Sequence, residues 1–285
     1  ACPLSERWAW GLSSVGGGGH AGRSLVHRIA QLSDLHLTPA RRRNAWRSPA
    51  WESFERALLS VSDQGEFERV VLTGDLANGH EPQTYARLRD SLVAILDRTW
   101  ILPGNHDSRR LVRDTFADRI VEGRDTLNFV DSLPGLRLIG LDSWRSWRVS
   151  GKLGAEQRAW LQAVLRESDD PALLFLHHPV IRVGCWWLDK DILRDANELA
   201  AIVADSSVRS IFFGHVHQEC VGEFAGVPAY ATPSTAYQFR PKAVRPGAIE
   251  RGEPAFRIIE VDSDIRIATR VVRLGRAEPD RPDPE

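Results

Sequence analysis

Short apolar runs alternate with segments of helical spacing over the first two thirds of the chain. Runs at 28–32, 70–72 and 100–102 predict buried strands. Two segments in which apolar residues recur every three or four positions open with Pro49 and Pro82, which predicts helices beginning there. The same patterns predict strands at 136–141, 172–176 and 208–213, and helices at 155–166 and 195–204.

The alternation stops after residue 213. Four closely spaced apolar segments then predict antiparallel strands at 219–224, 227–231, 255–261 and 265–272. Alternating strands and helices followed by a run of strands are typical of a layered α/β body with a mixed second sheet.

The two ends of the chain differ from this body. Residues 1–27 contain four consecutive glycines and no apolar core of a secretory signal, so we expect a flexible leader. Residues 276–285 are polar and rich in proline, which predicts a disordered tail. A single domain is therefore expected over 28–275.

Charge and cysteine content narrow the classes of function. The 285 residues carry 37 basic and 38 acidic side chains, and this balance argues against a nucleic-acid or membrane-surface partner. The three cysteines are too few and too far apart for a disulfide framework, so a reducing, cytoplasmic location is expected. Nothing in the chain predicts an oligomeric state.

Five polar clusters directly follow predicted strands. They are Asp34-Leu35-His36, Gly74-Asp75, Gly104-Asn105-His106-Asp107, His177-His178 and Gly214-His215-Val216-His217. Ligands of open α/β sheets bind beyond the carboxyl ends of the strands, so we expect these clusters to converge. Six of the nine histidines lie in them.

The donor types in these clusters predict a metal site. Imidazole, carboxylate and amide oxygen without thiolate suit first-row ions such as Mn, Fe, Co or Zn. Eight candidate groups exceed the needs of one ion and match two ions that share a carboxylate. Two such ions, about 3.5–4 Å apart, suit in-line displacement at phosphorus.

In this order, the five clusters resemble the motifs of the calcineurin-like metallophosphoesterase family. The resemblance implies a four-layer α-β-β-α sandwich with two mixed central sheets. It also implies that Asp34, His36 and His217 hold one ion, that Asn105, His177 and His215 hold the other, and that Asp75 bridges them. His106 would be the histidine that binds no metal and donates a proton to the leaving oxygen. We expect His36, Asp75, Asn105, His106 and His217 to contact the substrate.

A narrower resemblance, to bacterial class III 3′,5′-cyclic-AMP phosphodiesterases, involves the segments 184–189, 197–199, 214–219, 231–235 and 238–239. It implies in-line attack of a metal-bridging hydroxide on 3′,5′-cyclic AMP, which gives 5′-AMP. One alternative is a broader phosphodiesterase that acts on 2′,3′-cyclic nucleotides or glycerophosphodiesters. Another is a non-catalytic member of the fold that binds a protein partner.

Two features leave their role open. Trp144, Trp147, Trp186 and Trp187 either stack on adenine or pack within the protein. Asp107 either orients His106 or caps the helix that follows, and capping is the more common outcome.

Overall fold

The computed structural model describes residues 25–39, 50–120, 125–241, 245–250 and 252–275. The helices are α1 (Ala50–Asp63), α2 (Pro82–Ser91), α3 (Arg109–Thr115), α4 (Gly154–Arg166) and α5 (Ala196–Ala204). The strands are β1 (Leu25–Leu32), β2 (Arg69–Thr73), β3 (Thr99–Leu102), β4 (Phe129–Leu133), β5 (Leu136–Leu141), β6 (Ala172–Leu176), β7 (Val208–Phe213), β8 (Cys220–Phe224), β9 (Val227–Ala231), β10 (Gln238–Phe239), β11 (Ile249–Glu250), β12 (Ala255–Asp262) and β13 (Ile267–Arg273).

Two mixed sheets form the centre of the molecule. The first has the strand order β13-β12-β1-β2-β3, and the second has the order β4-β5-β6-β7-β9-β8. Strands β1, β2 and β3 are parallel, and so are β5, β6, β7 and β9. The short strands β10 and β11 pair only with each other within the described residues.

Three buried apolar clusters define the layers. Ile29 and Val71 of the first sheet meet Phe129 and Phe175 of the second, so the two sheets pack face to face. On the outer face of the first sheet lie α1, α2 and α3. The outer face of the second sheet is covered by α4 and α5. This arrangement confirms the four-layer α-β-β-α sandwich.

Most predicted elements are present, with three differences. The apolar helical spacing that opens at Pro82 continues to Leu96, but the helix ends at Ser91, because the chain must turn through 92–98 to enter β3. The last four strands divide between the sheets, since β12 pairs with β1 and β9 adds a parallel pairing with β7. Strand β4 has two polar residues at its centre, and so it lacked an apolar run that could predict it.

The predicted leader and tail lie mostly outside the described residues. Strand β1 begins at Leu25, so it includes the last three residues of the segment 1–27. His27 is buried there, and its ring contacts Glu68 and the carbonyl of Pro134.

Candidate metal centre

The parallel pairing of the strands brings the polar clusters to one end of both sheets. Leu32 of β1 lies opposite Leu72 of β2, and Thr73 lies opposite Leu102 of β3, so the loops that follow are neighbours. Backbone hydrogen bonds join the loops directly, since the N–H of Asp34 donates to the carbonyl of Gly74 over 3.0 Å. The structure thus places the eight predicted side chains in one region.

Five of these residues have a left-handed backbone conformation. The φ angles are 55° at Asp34, 47° at His36, 50° at Asp75, 67° at His215 and 49° at His217. Residues other than glycine seldom adopt positive φ, and such strain is concentrated at functional sites. The conformation turns each side chain inward from the end of its strand.

Glycines allow the loops to approach this closely. A Cβ atom added to Gly104 would lie 2.2 Å from Oδ1 of Asp75 and 2.8 Å from Cε1 of His177. One added to Gly214 would lie 1.9 Å from the hydroxyl of Ser33 and 2.6 Å from Oδ2 of Asp34. Glycine is required at both positions because any side chain would displace a residue of the cluster.

A first group of donors consists of Asp34, His36 and His217. Nε2 of His217 lies 3.2 Å from Oδ1 of Asp34 and 3.0 Å from Nε2 of His36. All three side chains are buried, and their donor atoms lie within 4.8 Å of one another. One carboxylate and two imidazoles at this spacing fit a first-row metal ion.

A second group consists of Asn105, His177 and His215. Oδ1 of Asn105 lies 3.2 Å from Nε2 of His177 and 2.9 Å from Nδ1 of His215. The two ring nitrogens are 3.3 Å apart. An amide oxygen and two imidazole nitrogens therefore face one point.

Asp75 lies between the two groups. Its Oδ1 is 3.4 Å from Nε2 of His177, and its Oδ2 is 3.7 Å from Nε2 of His36. One carboxylate oxygen thus faces each group, which is the placement that a shared ligand of two ions needs. The donor set as a whole fits two ions.

His106 differs from the seven other residues in its exposure. Its side chain is 46% exposed, and its Nε2 lies 4.0 Å from Oδ2 of Asp75. The ring packs edge-on against that of His36, with 4.9 Å between centroids. The backbone N–H of His106 donates to Oδ1 of Asp75, which fixes the start of the loop. His106 can therefore reach a bound molecule.

Burial and neighbouring groups together shift the pKa values of Asp34, Asp75 and His36. Burial alone raises the pKa of Asp34, but the ring of His217 reverses this effect and lowers the pKa to about 2. Burial is likewise outweighed at Asp75 by His177 and His106, so its pKa lies well below the usual value. Burial lowers the pKa of His36 to about 3. Ionised carboxylates and neutral imidazoles are the forms that bind metals.

Several supporting residues were not predicted from the sequence. The hydroxyl of Ser33 donates to Oδ2 of Asp34 over 2.6 Å, and that of Ser234 donates to the carbonyl of Asp34 over 2.7 Å. The ring of Tyr237 lies 5.0 Å from that of His36 and 4.6 Å from that of His217. Ser33 adjoins the Asp34 cluster and Ser234 lies in the segment 231–235, but the sequence assigned no role in the site to these residues. The fold identifies that role.

Asp107 does not cap the following helix, so the expectation of capping was wrong. Ser108 is the N-cap of α3. The carboxylate of Asp107 instead accepts from the backbone N–H groups of Leu76, Ala77 and Gly104 and from the hydroxyl of Tyr85. It joins the loop of Asp75 to the loop of His106.

The four tryptophans divide into two pairs. The indole N–H of Trp144 donates to the carbonyl of Asp107, and Trp187 packs edge-on against Phe239. Trp147 is 91% exposed, and Trp186 is half exposed beside Lys190. Packing within the protein therefore accounts for Trp144 and Trp187, whereas Trp147 and Trp186 present ring surface to solvent.

Comparison with known proteins identifies relatives in sequence and in fold. The chain is 31% identical over 265 residues to a 3′,5′-cyclic adenosine monophosphate phosphodiesterase, CpdA, of Escherichia coli (strain K12), covering 91% of this chain and 94% of that protein. It is 29% identical to the 3′,5′-cyclic-nucleotide phosphodiesterase alr5338 of Nostoc sp., covering 89% and 95%. A dimetal phosphatase from Danio rerio has a similar structure, with a TM-score of 0.62 and 16% identity over 86% of this chain and 99% of that one.

The family model for calcineurin-like phosphoesterases matches residues 27–219. This range contains all eight residues predicted from the sequence. The chain belongs to the calcineurin-like phosphoesterase family.

Proposed function

We propose that the protein is a dinuclear-metal phosphodiesterase that hydrolyses 3′,5′-cyclic AMP to 5′-AMP. The observation that carries this proposal is the placement of Asp75, with one carboxylate oxygen facing each donor group and the exposed His106 beside it. The names of the relatives from Escherichia coli and Nostoc support cyclic nucleotides as the substrate class.

Seven residues would hold the two ions. Asp34, His36 and His217 would bind the first, Asn105, His177 and His215 the second, and Asp75 both. When bound, divalent ions at this place supply a nucleophile derived from water and positive charge for the reacting phosphate. With the two carboxylates, two divalent ions leave a net charge of about +2, which attracts a phosphodiester monoanion.

His106 would act as the general acid. Its half-exposed ring is held at the edge of the donor groups by the edge-on contact with His36. From this position it would protonate the 3′ oxygen as the bond from phosphorus to that oxygen breaks. A sugar alkoxide is a poor leaving group, so this proton lowers the barrier.

The other polar groups would bind the phosphate. Asn105 directs its amide oxygen toward His177 and His215. Its amide N–H groups would then be free to donate to an equatorial phosphate oxygen. Hydrogen bonds that strengthen as charge gathers on that oxygen stabilise the transition state. His36, Asp75 and His217 would line the same phosphate site.

A side-by-side hydrolysis assay tests the substrate. The protein, loaded with Mn²⁺, is given 3′,5′-cyclic AMP, 2′,3′-cyclic AMP and glycerophosphocholine, and products are separated by chromatography. We expect the highest kcat/KM for 3′,5′-cyclic AMP, with 5′-AMP as product and no turnover by the D75N variant. A higher kcat/KM for one of the other diesters would favour the broader phosphodiesterase. A metal-loaded protein inactive on every diester would refute the proposal.

A further inference from the structure

Each histidine of the candidate metal centre turns one ring nitrogen toward the donor groups. Its other ring nitrogen, here called the far nitrogen, points away from the centre, and in most of these rings it contacts an oxygen of the protein. The far nitrogen Nδ1 of His177 meets the carbonyl of Thr73 at 2.8 Å, and that of His217 meets the carbonyl of Tyr237 at 2.7 Å. That of His36 meets Oδ1 of Asn78 at 3.2 Å. In each case an oxygen acceptor fixes the ring.

His215 departs from this pattern. Its Nδ1 faces Asn105 and His177, so Nε2 is the far nitrogen. This Nε2 is buried and has no hydrogen-bond partner in the described part of the chain. A buried polar atom without a partner destabilises the folded state, so such an atom in a native protein needs an explanation.

The carboxylate of Asp191 lies beside this nitrogen. Its Oδ2 is 3.8 Å from Nε2 of His215, slightly beyond hydrogen-bond distance. Asp191 follows a single 3₁₀ turn at Leu188–Lys190, and its backbone N–H donates to the carbonyl of Leu188. The carboxylate is thus carried by a short, fixed turn, and a change of less than 1 Å would complete the contact.

We propose that Asp191 is the positioning residue of His215 and strengthens the binding of the second ion. With a metal at Nδ1, the ring carries its proton on Nε2 and donates it to Asp191. This carboxylate is the one anion among the acceptors of the four rings; the other three acceptors are neutral. An anionic acceptor fixes the ring and increases the electron density at the ligating nitrogen.

The inference rests on the proposed two-ion function, and it deepens it. It assigns a role to the segment 184–199, which lies between His177 and His215 of the second group along the chain. It also predicts an asymmetry, because Asp191 contacts a residue of the second group and none of the first.

Metal titration of D191N and D191A tests the assignment without using catalysis. The metal-free full-length chain is titrated with Mn²⁺ by calorimetry, and bound ions are counted by elemental analysis. We expect the second ion to bind about 10–100-fold more weakly in both variants, with the first ion unchanged. The matched control is D189N, two residues earlier in the same turn, where the side chain accepts from the backbone N–H of Val183. D189N should bind both ions like the unchanged protein.

The outcomes separate this inference from the proposed function. Unchanged affinity for both ions in D191N and D191A would overturn the role of Asp191 alone. Equal weakening in D189N would also overturn it, because the effect would then belong to the turn. If the unchanged protein binds fewer than two ions, the two-ion function itself fails. Circular dichroism of the metal-free variants checks that they fold, and D191N retains the size and shape of the side chain.

Discussion

His106 combines exposure with contact to the most buried part of the site. Six of the seven candidate ligands are buried and Asn105 is partly buried, whereas nearly half of the side chain of His106 reaches solvent. A group in this place can exchange protons with both solvent and substrate. The role of an acid can therefore be separated by experiment from that of a ligand.

The first prediction concerns the variant H106A. Both ions should remain bound, while kcat on 3′,5′-cyclic AMP falls by about 10²–10⁴. A diester with a nitrophenolate leaving group scarcely needs protonation, so its turnover should fall much less. Elemental analysis and rates on both substrates provide the measurement, and H177A, which should lose the second ion, serves as the comparison. Loss of metal from H106A, or equal slowing on both substrates, would contradict the acid role.

Gly104 gives a second prediction at the scale of one residue. The methyl group of G104A would meet the backbone nitrogen and Oδ1 of Asp75 at 2.3 and 2.2 Å. We expect a loss of about 1–3 kcal/mol in the free energy of unfolding, together with weaker binding of both ions. In the control, G135A, no atom lies within 4 Å of the added carbon, and only the positive φ is strained. G135A should lower the free energy of unfolding by about 1–2 kcal/mol and leave metal binding intact. Denaturant unfolding and metal titration of both variants distinguish a clash in the site from backbone strain alone.

At the scale of elements, a buried polar chain links the two sheets beneath the site. Arg257 of β12 donates to the hydroxyl of Thr232 over 3.1 Å and to the carbonyl of Ala231 over 2.8 Å. The hydroxyl of Thr232 donates to Gln31 of β1, and Gln31 donates to Thr73 at the end of β2. Burial lowers the pKa of Arg257 to about 10, so the guanidinium remains charged at neutral pH.

Removal of this guanidinium should loosen both sheets. In R257M, the buried oxygens of Thr232 and Ala231 lose the guanidinium as a donor. We therefore expect the free energy of unfolding to fall by about 1–3 kcal/mol. The matched change R270M, on the exposed neighbouring strand β13, should stay within about 0.5 kcal/mol of the unchanged protein. Urea unfolding of the two variants compares them. Equal stability of R257M and R270M would mean that the buried hydrogen bonds of Arg257 contribute nothing to the free energy of unfolding.

The same elements show how far the sequence could predict the structure. The buried parallel strands were predictable because their apolar runs end in polar clusters, and the candidate ligands were predictable because they occupy those ends. The capping expected of Asp107 was wrong because most of its partners, among them Ala77 and, in α2, Tyr85, are distant in sequence and have no local pattern. The pairing of β12 with β1 joins segments more than two hundred residues apart, so local periodicity could not assign it.

At the scale of the whole molecule, the candidate metal centre joins the two sheets. Asp34 follows a strand of the first sheet, and His217 follows a strand of the second, yet their donor atoms are 3.2 Å apart. Ions bound between them would therefore hold the two halves of the sandwich together.

The helices of the described residues are all too short or too polar to span a membrane.

Metal removal should consequently lower stability as well as activity. An ion present at about a thousand times its Kd stabilises the folded state by about 4 kcal/mol. We expect a chelator to abolish activity and to lower the Tm, and we expect Mn²⁺ or Fe²⁺ to restore both best. Thermal unfolding and rate measurements on the same samples give the test. Full activity in a preparation shown to be free of metal would contradict the mechanism.

The position of β1 between β2 and β12 has a consequence for synthesis of the protein on the ribosome. The hydrogen-bonding edge of β1 that β12 will cover stays open until residues 255–262 have been made. At about 5–20 residues per second, this takes roughly 10–45 s after β1 itself is complete. Once His217 has been made, the nascent chain carries all its candidate ligands beside an unpaired strand edge, which invites pairing with other chains. Ribosome-bound chains that end before β12 should therefore need a chaperone, and release from it should coincide with the arrival of that strand.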